Sequence, residues 1–341
     1  MSKPALSDLP GPPEGKIDWP WRVAGLSSPR SLTDSSQWPR ISVVTPSYNQ
    51  GKYLEETIRS VLLQGYQDIE YIIIDGGSSD NSPEIIMKYS PWLAYWTSEE
   101  DRGQSHAINK GLSRATGEIF AYLNSDDIYM PGTLEKVSRY FLAHPDADVL
   151  YGDCRTIDQN SHELDIWRSQ DFNLYKELCR NYIYQPTLFM RRRVFEKTGA
   201  FNEDLHYVMD IDYWYRASLE HKFYYTSDVL ASFRLGDKSK SGGSRLPFVE
   251  ERKRVLDKFL SQNGGLFSGS QRSRMFSWHH FHAGEQLFAG GEFVEAKKEF
   301  SESIRKGWCY PLAFYSLVGF FDCLLKTGIF RKINSRFPLS P

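Results

Sequence analysis

Three observations predict an α/β protein built on a mainly parallel sheet. Short β-branched runs alternate with amphipathic helices between residues 40 and 123, which is the pattern of βαβ units. The four predicted strands all end in polar residues, at the edge where such sheets bind ligands. With 40% hydrophobic and 25% charged residues, the 341-residue chain has the composition of one large globular domain or two smaller ones.

The first half of the sheet is predicted from four strands and the three helices between them. The first helix carries apolar residues at Leu54, Ile58, Val61 and Leu62, the spacing of an amphipathic helix. Pro46, which has no backbone N–H, is expected to end the first strand. The predicted strands are 41–45, 71–74, 93–97 and 119–123, and the predicted helices are 53–63, 83–89 and 104–115.

The second half alternates less regularly. A polar turn at 158–163 predicts a hairpin, and a basic segment rich in Gly and Ser at 236–245 predicts a loop. Further strands are predicted at 148–151, at 187–190 and, as one or two strands, within 223–233. Further helices are predicted at 134–143, 173–181, 192–198, 210–220 and 246–260.

Composition divides the chain into three parts. Residues 1–38, rich in Pro, Ser and Gly, are expected to form a poorly ordered arm with an anchor at Trp19-Pro20-Trp21. Residues 39–260 are expected to form the α/β domain, and residues 261–341 a helical region. Small residues beside a Gly-Gly break predict a hairpin there that resembles one tetratricopeptide unit, with an apolar helix after Pro311.

Bulk features exclude several partners and sites. A net charge of −2 gives no electrostatic case for nucleic acid. The four cysteines lack CxxC spacing, which indicates reduced residues of a cytoplasmic protein. The N-terminus lacks the apolar stretch of a signal peptide. The apolar run 310–325 is too short for a membrane span. It is expected to pack under the hairpin or, alternatively, to contact the inner face of a membrane.

Asn124-Ser125-Asp126-Asp127 follows a predicted buried strand directly and places two adjacent carboxylates at the sheet edge. One interpretation is an Asx-rich turn that caps the next helix. The other is a site for Mg²⁺ or Mn²⁺, because hard cations take oxygen ligands from one or two carboxylates and from ligand phosphates. A nucleoside diphosphate needs such a cation.

Two other strand ends fit a nucleotide. The ring of Tyr48 is suited to stack on a base, and Asp75 can accept from a base N–H or a ribose hydroxyl. Neither segment has the G-x-G-x-x-G pattern, so the dinucleotide-binding fingerprint is excluded.

Four segments resemble, in order, those of family 2 glycosyltransferases: TPSYNQGKYLEETIRSVLLQGY, IEYIIIDGGSSDNS, EEDRGQSHAINKGLSRATGEIFAYLNSDDIYMPG and DIDYWYRA. The resemblance runs from about residue 39 to residue 233. It implies the GT-A fold, a Rossmann-like nucleotide-binding half with a mixed central sheet. It also implies inverting transfer of a sugar from a nucleotide-sugar donor to a hydroxyl of a glycan or lipid-linked acceptor, as in cell-surface polysaccharide assembly.

The resemblance implies roles for individual residues. Asp126 would be the main cation ligand, at the place of the family's DxD motif, with Asp127 supporting it. Asp210 would take the proton from the acceptor, with Asp212 as the alternative base; plain acids at a helix N-terminus are the structural alternative. The other residues assigned to the donor site are Thr45, Pro46, Ser47, Tyr48, Asn49, Asp75, Arg102, Gln104, Lys110, Asn124 and Ser125.

Two groups of basic residues each have two possible roles. Arg234, Lys238 and Lys240 lie in and beside the predicted loop at 236–245. They are expected to neutralise the diphosphate as a lid, with a solvated basic loop as the alternative. The histidines in the segment 279–282 suggest a metal cluster at first, but exposed helix residues are the preferred interpretation.

Three departures from the family pattern affect the expected chemistry. Asn124 replaces the first Asp of the usual DxD motif, and Gly76 replaces the second Asp of a pair that often contacts uracil. No histidine lies near Gly236, where some members have one. UDP, dTDP and GDP sugars therefore all remain candidate donors. A non-catalytic scaffold and a nucleotidyltransferase remain the alternative functions.

Overall fold

The protein is described from a computed structural model of residues 4–22, 38–236, 245–307, 312–326 and 329–330. These residues group into two compact units. The first takes the described residues up to Phe172 with Ile183–Tyr213 and Ala217–Arg234. The second takes Asn173–Tyr182, Trp214–Arg216 and the described residues from Leu235 onward. The helix expected at 246–260 as part of the α/β domain falls in the second unit.

The first unit is built on one mixed sheet. In the described part of the chain its strands are β1 (Ile41–Ser47), β2 (Ile69–Asp75), β3 (Tyr95–Ser98), β4 (Ile119–Tyr122), β5 (Ile128–Tyr129), β6 (Val149–Ile157), β7 (Glu163–Trp167), β8 (Phe189–Arg191) and β9 (Phe223–Arg234). Their order is β3-β2-β1-β4-β8-β6-β9-β5, and β7 pairs with β6. The predicted α/β class is confirmed.

The described helices follow the predicted pattern closely. All four apolar residues that predicted the first helix are buried. The helices are α1 (Leu54–Leu62), α2 (Ser82–Tyr89), α3 (Gln104–Arg114), α4 (Thr133–Ala143), α5 (Leu174–Cys179), α6 (Arg192–Thr198), α7 (Met209–Ala217), α8 (Leu246–Gln262), α9 (Gly269–Ala289), α10 (Phe293–Lys306) and α11 (Leu312–Leu325).

Strand register aligns the polar strand ends. In the parallel half, Ser47 on β1 is paired with Asp75 on β2, and Asp75 is paired with Ser98 on β3. On the other side of β1, Val44 is paired with Tyr122 at the end of β4. The loops that follow these strands therefore leave the same edge of the sheet, as the sequence predicts.

Pro46 does not end β1, contrary to the sequence prediction. The strand continues through it to Ser47, because pairing with β4 ends at Val44 and Tyr122. The Val44 carbonyl accepts from the Leu123 N–H on the β4 side, while the Ser47 carbonyl accepts from the Gly76 N–H on the β2 side. Pro46 faces the same side as Val44, where no strand is paired at that level, so its missing N–H costs no ladder bond.

The second half of the sheet contains the antiparallel pairs. β8 joins β4 and β6 in antiparallel register, β7 forms the expected hairpin with β6, and β9 runs parallel to β6. The residues expected to form one or two closing strands form one, Phe223–Arg234. β5, which sequence reasoning missed, has two residues and pairs with β9 at Ile128 and Ser232.

Residues 4–22, part of the segment expected to be poorly ordered, contact the rest of the first unit through Arg59. This arginine is buried and donates to the carbonyl oxygens of Pro10, Pro20 and Trp21 at 2.8, 3.3 and 3.3 Å. Its guanidinium also lies 5.0 Å from the centre of the Trp21 ring. The Trp19 indole N–H donates to the Tyr129 carbonyl at 2.7 Å. The tryptophan anchor is therefore part of the first unit.

The second unit contains the expected helical hairpin, formed by α9 and α10. Phe300 of α10 packs against two glycines, since a Cβ on Gly284 or on Gly319 would lie 2.7 or 2.6 Å from its ring. His279 and His280 are 1% and 4% exposed, so the interpretation as exposed helix residues was wrong. None of the described helices combines the length and the hydropathy needed to cross a membrane.

Candidate functional site

The turn after β4 is organised by the side-chain amide of Asn124. Its Oδ1 accepts from Gln104 Nε2 at 2.6 Å, and its Nδ2 donates to Gln185 Oε1 at 3.2 Å and to Asp127 Oδ2 at 3.4 Å. Gln185 in turn donates to the Tyr122 carbonyl at 2.8 Å. Asn124 therefore links the turn to α3 and to the segment before β8.

Asp127 is fully buried and faces the interior of the first unit. Its Oδ1 accepts from the Arg234 backbone N–H at 3.0 Å, and its carbonyl accepts from the Thr57 hydroxyl at 2.7 Å. Burial and the neighbouring Asp126 raise the pKa of Asp127 well above its ordinary value, against the Arg234 hydrogen bond and charge. The contacts of Asp127 hold the turn against β9.

Asp126 differs from Asp127 in exposure. It is half-buried, whereas Asp127 and Ser125 are buried. A carboxylate reachable from solvent at a strand end suits a hard cation, whose remaining ligands come from water and from ligand phosphates. The donor set thus fits Mg²⁺ or Mn²⁺, with Asp126 rather than Asp127 as the accessible carboxylate.

Arg234 lies in a different environment from the one predicted for a lid residue. Its side chain is 2% exposed and forms an ion pair with Glu56 at 2.9 Å. It also donates to the Asp126 carbonyl at 2.9 Å and to Asp158 O and Ser161 Oγ at 3.0 and 2.9 Å. Because its donors bind these groups, Arg234 holds the Asp126–Asp127 turn in place. These contacts give no support to its predicted role of neutralising the diphosphate. Lys238 and Lys240 lie outside the described residues.

The ends of β1 and β2 carry the residues predicted to line the nucleoside side of the site. Tyr48 is 63% exposed, as a stacking residue must be, and Ser47 is buried with a hydroxyl that has no hydrogen-bond partner among the described residues. The Thr45 hydroxyl, by contrast, contacts the Tyr71 hydroxyl at 3.0 Å in the interior. Pro46 is buried between Thr45 and Ser47.

Asp75 is buried and accepts three hydrogen bonds. They come from the N–H and hydroxyl of Ser78, at 2.9 and 2.6 Å, and from the Ser98 hydroxyl at 2.7 Å. Asn49, in the loop after β1, joins this loop to the loop after β2, because its Oδ1 accepts from the Ser79 N–H at 2.8 Å. The structure therefore places Asp75 where it orders the loop after β2.

Gly76 explains one departure from the family pattern. A Cβ on this residue would lie 2.7 Å from Asp101 Oδ2, and the next residue, Gly77, has a φ of +77° with its Cβ position 3.1 Å from the Glu100 N. A second aspartate after Asp75 would therefore collide with the Asp101 carboxylate. The glycine pair lets the loop after β3 approach the loop after β2.

The basic residues predicted to border the donor are paired with acids. Arg102 is exposed and donates to Glu203 Oε2. Lys110 forms an ion pair with Glu99. Neighbouring Asn109 exchanges two hydrogen bonds with the Phe201 backbone, at 2.9 and 2.8 Å.

Asp210 and Asp212 differ in exposure. Both lie in the first turn of α7, but Asp210 is half-buried while Asp212 is 6% exposed. The Ile211 N–H donates to Asp210 Oδ1 at 2.8 Å. Burial first, then Asp210 and Asp127, raise the pKa of Tyr122 well above its ordinary value. Asp210 and the turn after β4 therefore lie within electrostatic reach of one residue.

An aromatic stack that sequence reasoning missed joins α7 to β4. Phe201 packs edge-on against Tyr122 at 5.5 Å and stacks on Tyr213 at 4.1 Å. Phe201 follows Gly199-Ala200 in a segment without periodicity, and no local pattern marks it. Glu56 was missed as well, because an acid on an amphipathic helix is normally taken as exposed.

Comparisons of sequence identify related proteins. The profile described as Glycosyl transferase family 2 matches residues 42–201. An uncharacterized glycosyltransferase of Rickettsia typhi is 30% identical over 233 residues, 66% of this chain and 72% of the relative. One of Nostoc sp. is 32% identical over 169 residues, 46% of this chain and 52% of the relative.

Comparisons of structure identify proteins of similar fold. S. aureus TarS 1-349 in complex with UDP-GlcNAc superposes with a TM-score of 0.59 at 18% identity, covering 83% of this chain and 89% of that one. The mannosyltransferase PcManGT from Pyrobaculum calidifontis in complex with GDP-Man and Mn2+ superposes with a TM-score of 0.57 at 17% identity, covering 88% and 84%. Both are glycosyltransferases, and the likeness is one of fold. The profile match and the Rickettsia typhi relative agree with this architecture, and the chain belongs to glycosyltransferase family 2, as a glycosyltransferase with the GT-A fold.

Proposed function

We propose that the protein transfers a sugar from a nucleoside diphosphate sugar to a hydroxyl of a glycan or glycolipid, with inversion at the anomeric carbon. The observation that carries the proposal is the pair of half-buried carboxylates, Asp126 and Asp210, each beside a buried one. One can approach a diphosphate and the other an acceptor hydroxyl. Burial, Asp210 and Asp127 raise the pKa of Tyr122, so Asp210 and the turn that carries Asp126 both act on one side chain.

The proposed reaction gives each of these groups one role. The acceptor oxygen forms a bond to the anomeric carbon as the bond from that carbon to the diphosphate oxygen breaks. Asp210 accepts the acceptor's proton. Asp212, which is buried, is the weaker candidate for this role. Tyr48 stacks on the base and Ser47 supplies a polar group beside it.

Asp126 would hold the cation, together with donor phosphate oxygens. When bound, Mg²⁺ or Mn²⁺ would stabilise the negative charge that develops on the leaving nucleoside diphosphate. Asp127 and Arg234 position Asp126, because both hold its turn against β9. Gln104 and Asn124 hold the other side of the turn.

The first experiment is a donor screen with UDP, dTDP and GDP sugars, with and without Mn²⁺, followed by thermal shift. A bound donor stabilises the fold by mass action, about 2.7 kcal/mol at a hundredfold excess over Kd. We expect one base to stabilise the protein, with a shift that depends on the metal and is lost in Asp126→Ala. Stabilisation by no nucleotide sugar would contradict the proposal and favour a scaffold.

The second experiment separates the base from the donor site. Asp210→Asn should lower kcat by roughly 10² to 10⁴-fold, the usual contribution of a general base, while donor binding persists. Asp212→Asn should retain much more activity, and Asp257→Asn, an exposed pair partner of Lys253, serves as the matched control. Activity of Asp210→Asn equal to that of the wild type would refute its assignment. NMR of the product then reports the anomeric configuration.

We further propose that the acceptor is reached at the cytoplasmic face of a membrane, in polysaccharide assembly. In the second unit, α11 buries one face and exposes apolar residues on another: Phe314, Phe321 and Leu325 are 47%, 54% and 69% exposed. After Asp322 the sequence has no acid and four cations, Lys326, Arg331, Lys332 and Arg336. Exposed apolar residues that are followed in the sequence by basic ones suit an anionic lipid surface.

Vesicle cosedimentation tests this contact. We expect the protein to bind vesicles with anionic lipid more tightly than zwitterionic ones, and Phe321→Asp with Leu325→Asp to abolish binding. Leu164→Asp, at a comparably exposed residue of β7, should bind like the wild type. Equal binding of the α11 variant would refute the membrane contact. Loss of self-association in that variant, without any vesicle binding by the wild type, would assign the face to a second copy.

A further inference from the structure

Two histidines and a glutamate of the second unit lie together on the α9–α10 hairpin, and none of them is assigned to sugar transfer. His279 and His280 are adjacent on α9, and Glu299 lies on α10. One potential ligand atom from each residue lies within 4.8 Å of those of the other two. His280 Nδ1 and Glu299 Oε2 are 2.7 Å apart. The cluster therefore spans the interface between two helices.

The His279 side chain is buried without a hydrogen bond to any of the described residues. It is 1% exposed, and neither ring nitrogen has a hydrogen-bond partner among the described residues. Burying a polar group without a partner costs roughly 1–3 kcal/mol, so such groups in folded proteins are nearly always hydrogen-bonded or ligated. Its ring lies 5.3 Å from that of His280, at an interplanar angle of 71°.

We propose that His279, His280 and Glu299 form a zinc site that joins α9 to α10. Two imidazoles and a carboxylate are a known donor set for Zn²⁺, with water at the fourth position. Bond lengths of about 2.0–2.2 Å require the three ligand atoms to approach to roughly 3.3 Å of one another. Side chains on two packed helices can close this distance by rotamer adjustment.

Charged neighbours surround the cluster. Arg252 and Lys253 act electrostatically on His279, and as cations they oppose a bound metal ion. The Glu299 carboxylate offsets this repulsion within the ligand set, which would consist of one negative and two neutral ligands because a metal binds the neutral form of an imidazole.

The test uses the full chain, freed of metal by a chelator and titrated with zinc by calorimetry. We expect one saturable site, a rise in Tm, and ligand-field absorption in the visible range when Co²⁺ replaces Zn²⁺. His279→Gln and Glu299→Gln should each weaken zinc binding by roughly tenfold or more, because even the loss of a residue that only hydrogen-bonds a metal ligand costs about 10–100-fold in affinity. His162→Gln, at an exposed histidine of the first unit, should bind like the wild type.

Two further measurements keep the outcomes distinct. Asp126→Ala should bind zinc as the wild type does, which separates this site from the donor site. Circular dichroism establishes that His279→Gln and Glu299→Gln are folded, and the Co²⁺ spectrum should lose intensity in both. Absence of saturable zinc binding in the wild type, or unchanged binding in the folded variants, would overturn the proposal and leave a hydrogen-bonded His280–Glu299 pair.

Discussion

At the residue scale, Asn124 joins Gln104, Gln185 and Asp127 through a single side-chain amide. An aspartate, the usual residue of the family motif, would keep the acceptor oxygen but would lose both N–H donors. The departure from the family motif is therefore also a gain of hydrogen-bond donors toward Gln185 and Asp127. Because the Asp127 carboxylate is buried, it depends on donors of the protein such as the Asn124 amide rather than on water.

We expect Asn124→Asp to lower the free energy of unfolding in the absence of metal by about 1–3 kcal/mol, since buried acceptors lose their donors and a third carboxylate joins two others. Mn²⁺ with donor should recover more stability in the variant than in the wild type. Urea denaturation measures both, with Gln262→Glu, an exposed amide on α8, as control. A variant as stable as the wild type without metal would contradict the assigned role.

Arg234 and Glu56 form a buried ion pair between residues 178 positions apart. Arg234→Met should cost about 3–5 kcal/mol, because removing one partner leaves the other charge buried and unpaired. The double variant Arg234→Met, Glu56→Gln should lose less. Arg305→Met removes an exposed i,i+3 pair and should change stability by about 1 kcal/mol or less. Chemical denaturation of the wild type and the three variants measures these losses of stability. Equal losses in Arg234→Met and in the double variant would refute the argument that Arg234 and Glu56 stabilise the fold as a pair.

At the element scale, α3 packs directly on β1 at Gly111. A Cβ there would lie 2.3 Å from Val44 Cγ1. Helix propensity alone favours alanine at this interior position by about 1 kcal/mol, but the close approach opposes it. The hydrophobic pattern of the sequence predicts α3 and β1. The distance between them depends on Gly111, which has no side chain and therefore takes no part in that pattern.

Gly111→Ala should therefore destabilise the first unit by about 1–3 kcal/mol, the usual cost of overpacking a core, despite its better propensity. Gly269→Ala, at the start of α9 with no atom near its Cβ position, should be neutral or slightly stabilising. Thermal and urea denaturation compare the two. An increase in stability for Gly111→Ala would show that α3 moves away from β1 at little cost.

Asp148 ties together the starts of three elements. Its Oδ1 accepts from Arg193 at 2.5 Å and its Oδ2 from the Lys222 N–H at 2.9 Å, beside β6, α6 and β9. Burial raises the pKa of the Asp148 carboxyl. The hydrogen bond from the Lys222 N–H, followed by the hydrogen bond and the positive charge of Arg193, outweighs burial and holds that pKa below its usual value. A carboxylate with a depressed folded-state pKa stabilises the fold above its unfolded pKa, near 3.9.

We expect Asp148→Asn to be less stable than the wild type by about 1–3 kcal/mol near neutral pH. The difference should shrink as pH falls below about 4, where the carboxylate of the unfolded state takes up its proton, until the folded carboxylate is protonated at its lower pKa. Urea midpoints from pH 7 down to pH 3 measure this, with Asp257→Asn as the control. A difference that stayed constant over this range would exclude the carboxylate charge as its cause.

At the scale of the whole molecule, the N-terminal arm is part of the first unit through residues 4–22. Composition predicts disorder for this segment, because it is rich in Pro, Ser and Gly. The structure instead directs the buried Arg59 guanidinium to three of its carbonyls. Contacts between residues distant in sequence, those of Arg59 with three carbonyls and of Trp19 with Tyr129, hold residues 4–22 in place.

Arg59→Met should release the arm. A local loss of about 1.4 kcal/mol raises the open population tenfold, and proteolysis follows that population. We expect trypsin to cleave within residues 4–22, at Lys16 or Arg22, roughly tenfold faster than in the wild type. Arg272→Met, at an exposed residue of α9, is the matched control. Unchanged cleavage would show that Trp19 and Trp21 hold the arm without Arg59.

The sequence determined the α/β class, most elements of the parallel half, and the polar strand ends, because strand and helix periodicity and turn chemistry are properties of neighbouring residues. Only the tertiary structure decided which carboxylate of each pair is accessible, Asp126 over Asp127 and Asp210 over Asp212. It also decided that Arg234 pairs with Glu56 and that His279 is buried. Burial and pairing depend on residues that are distant in sequence, so no local pattern contains them.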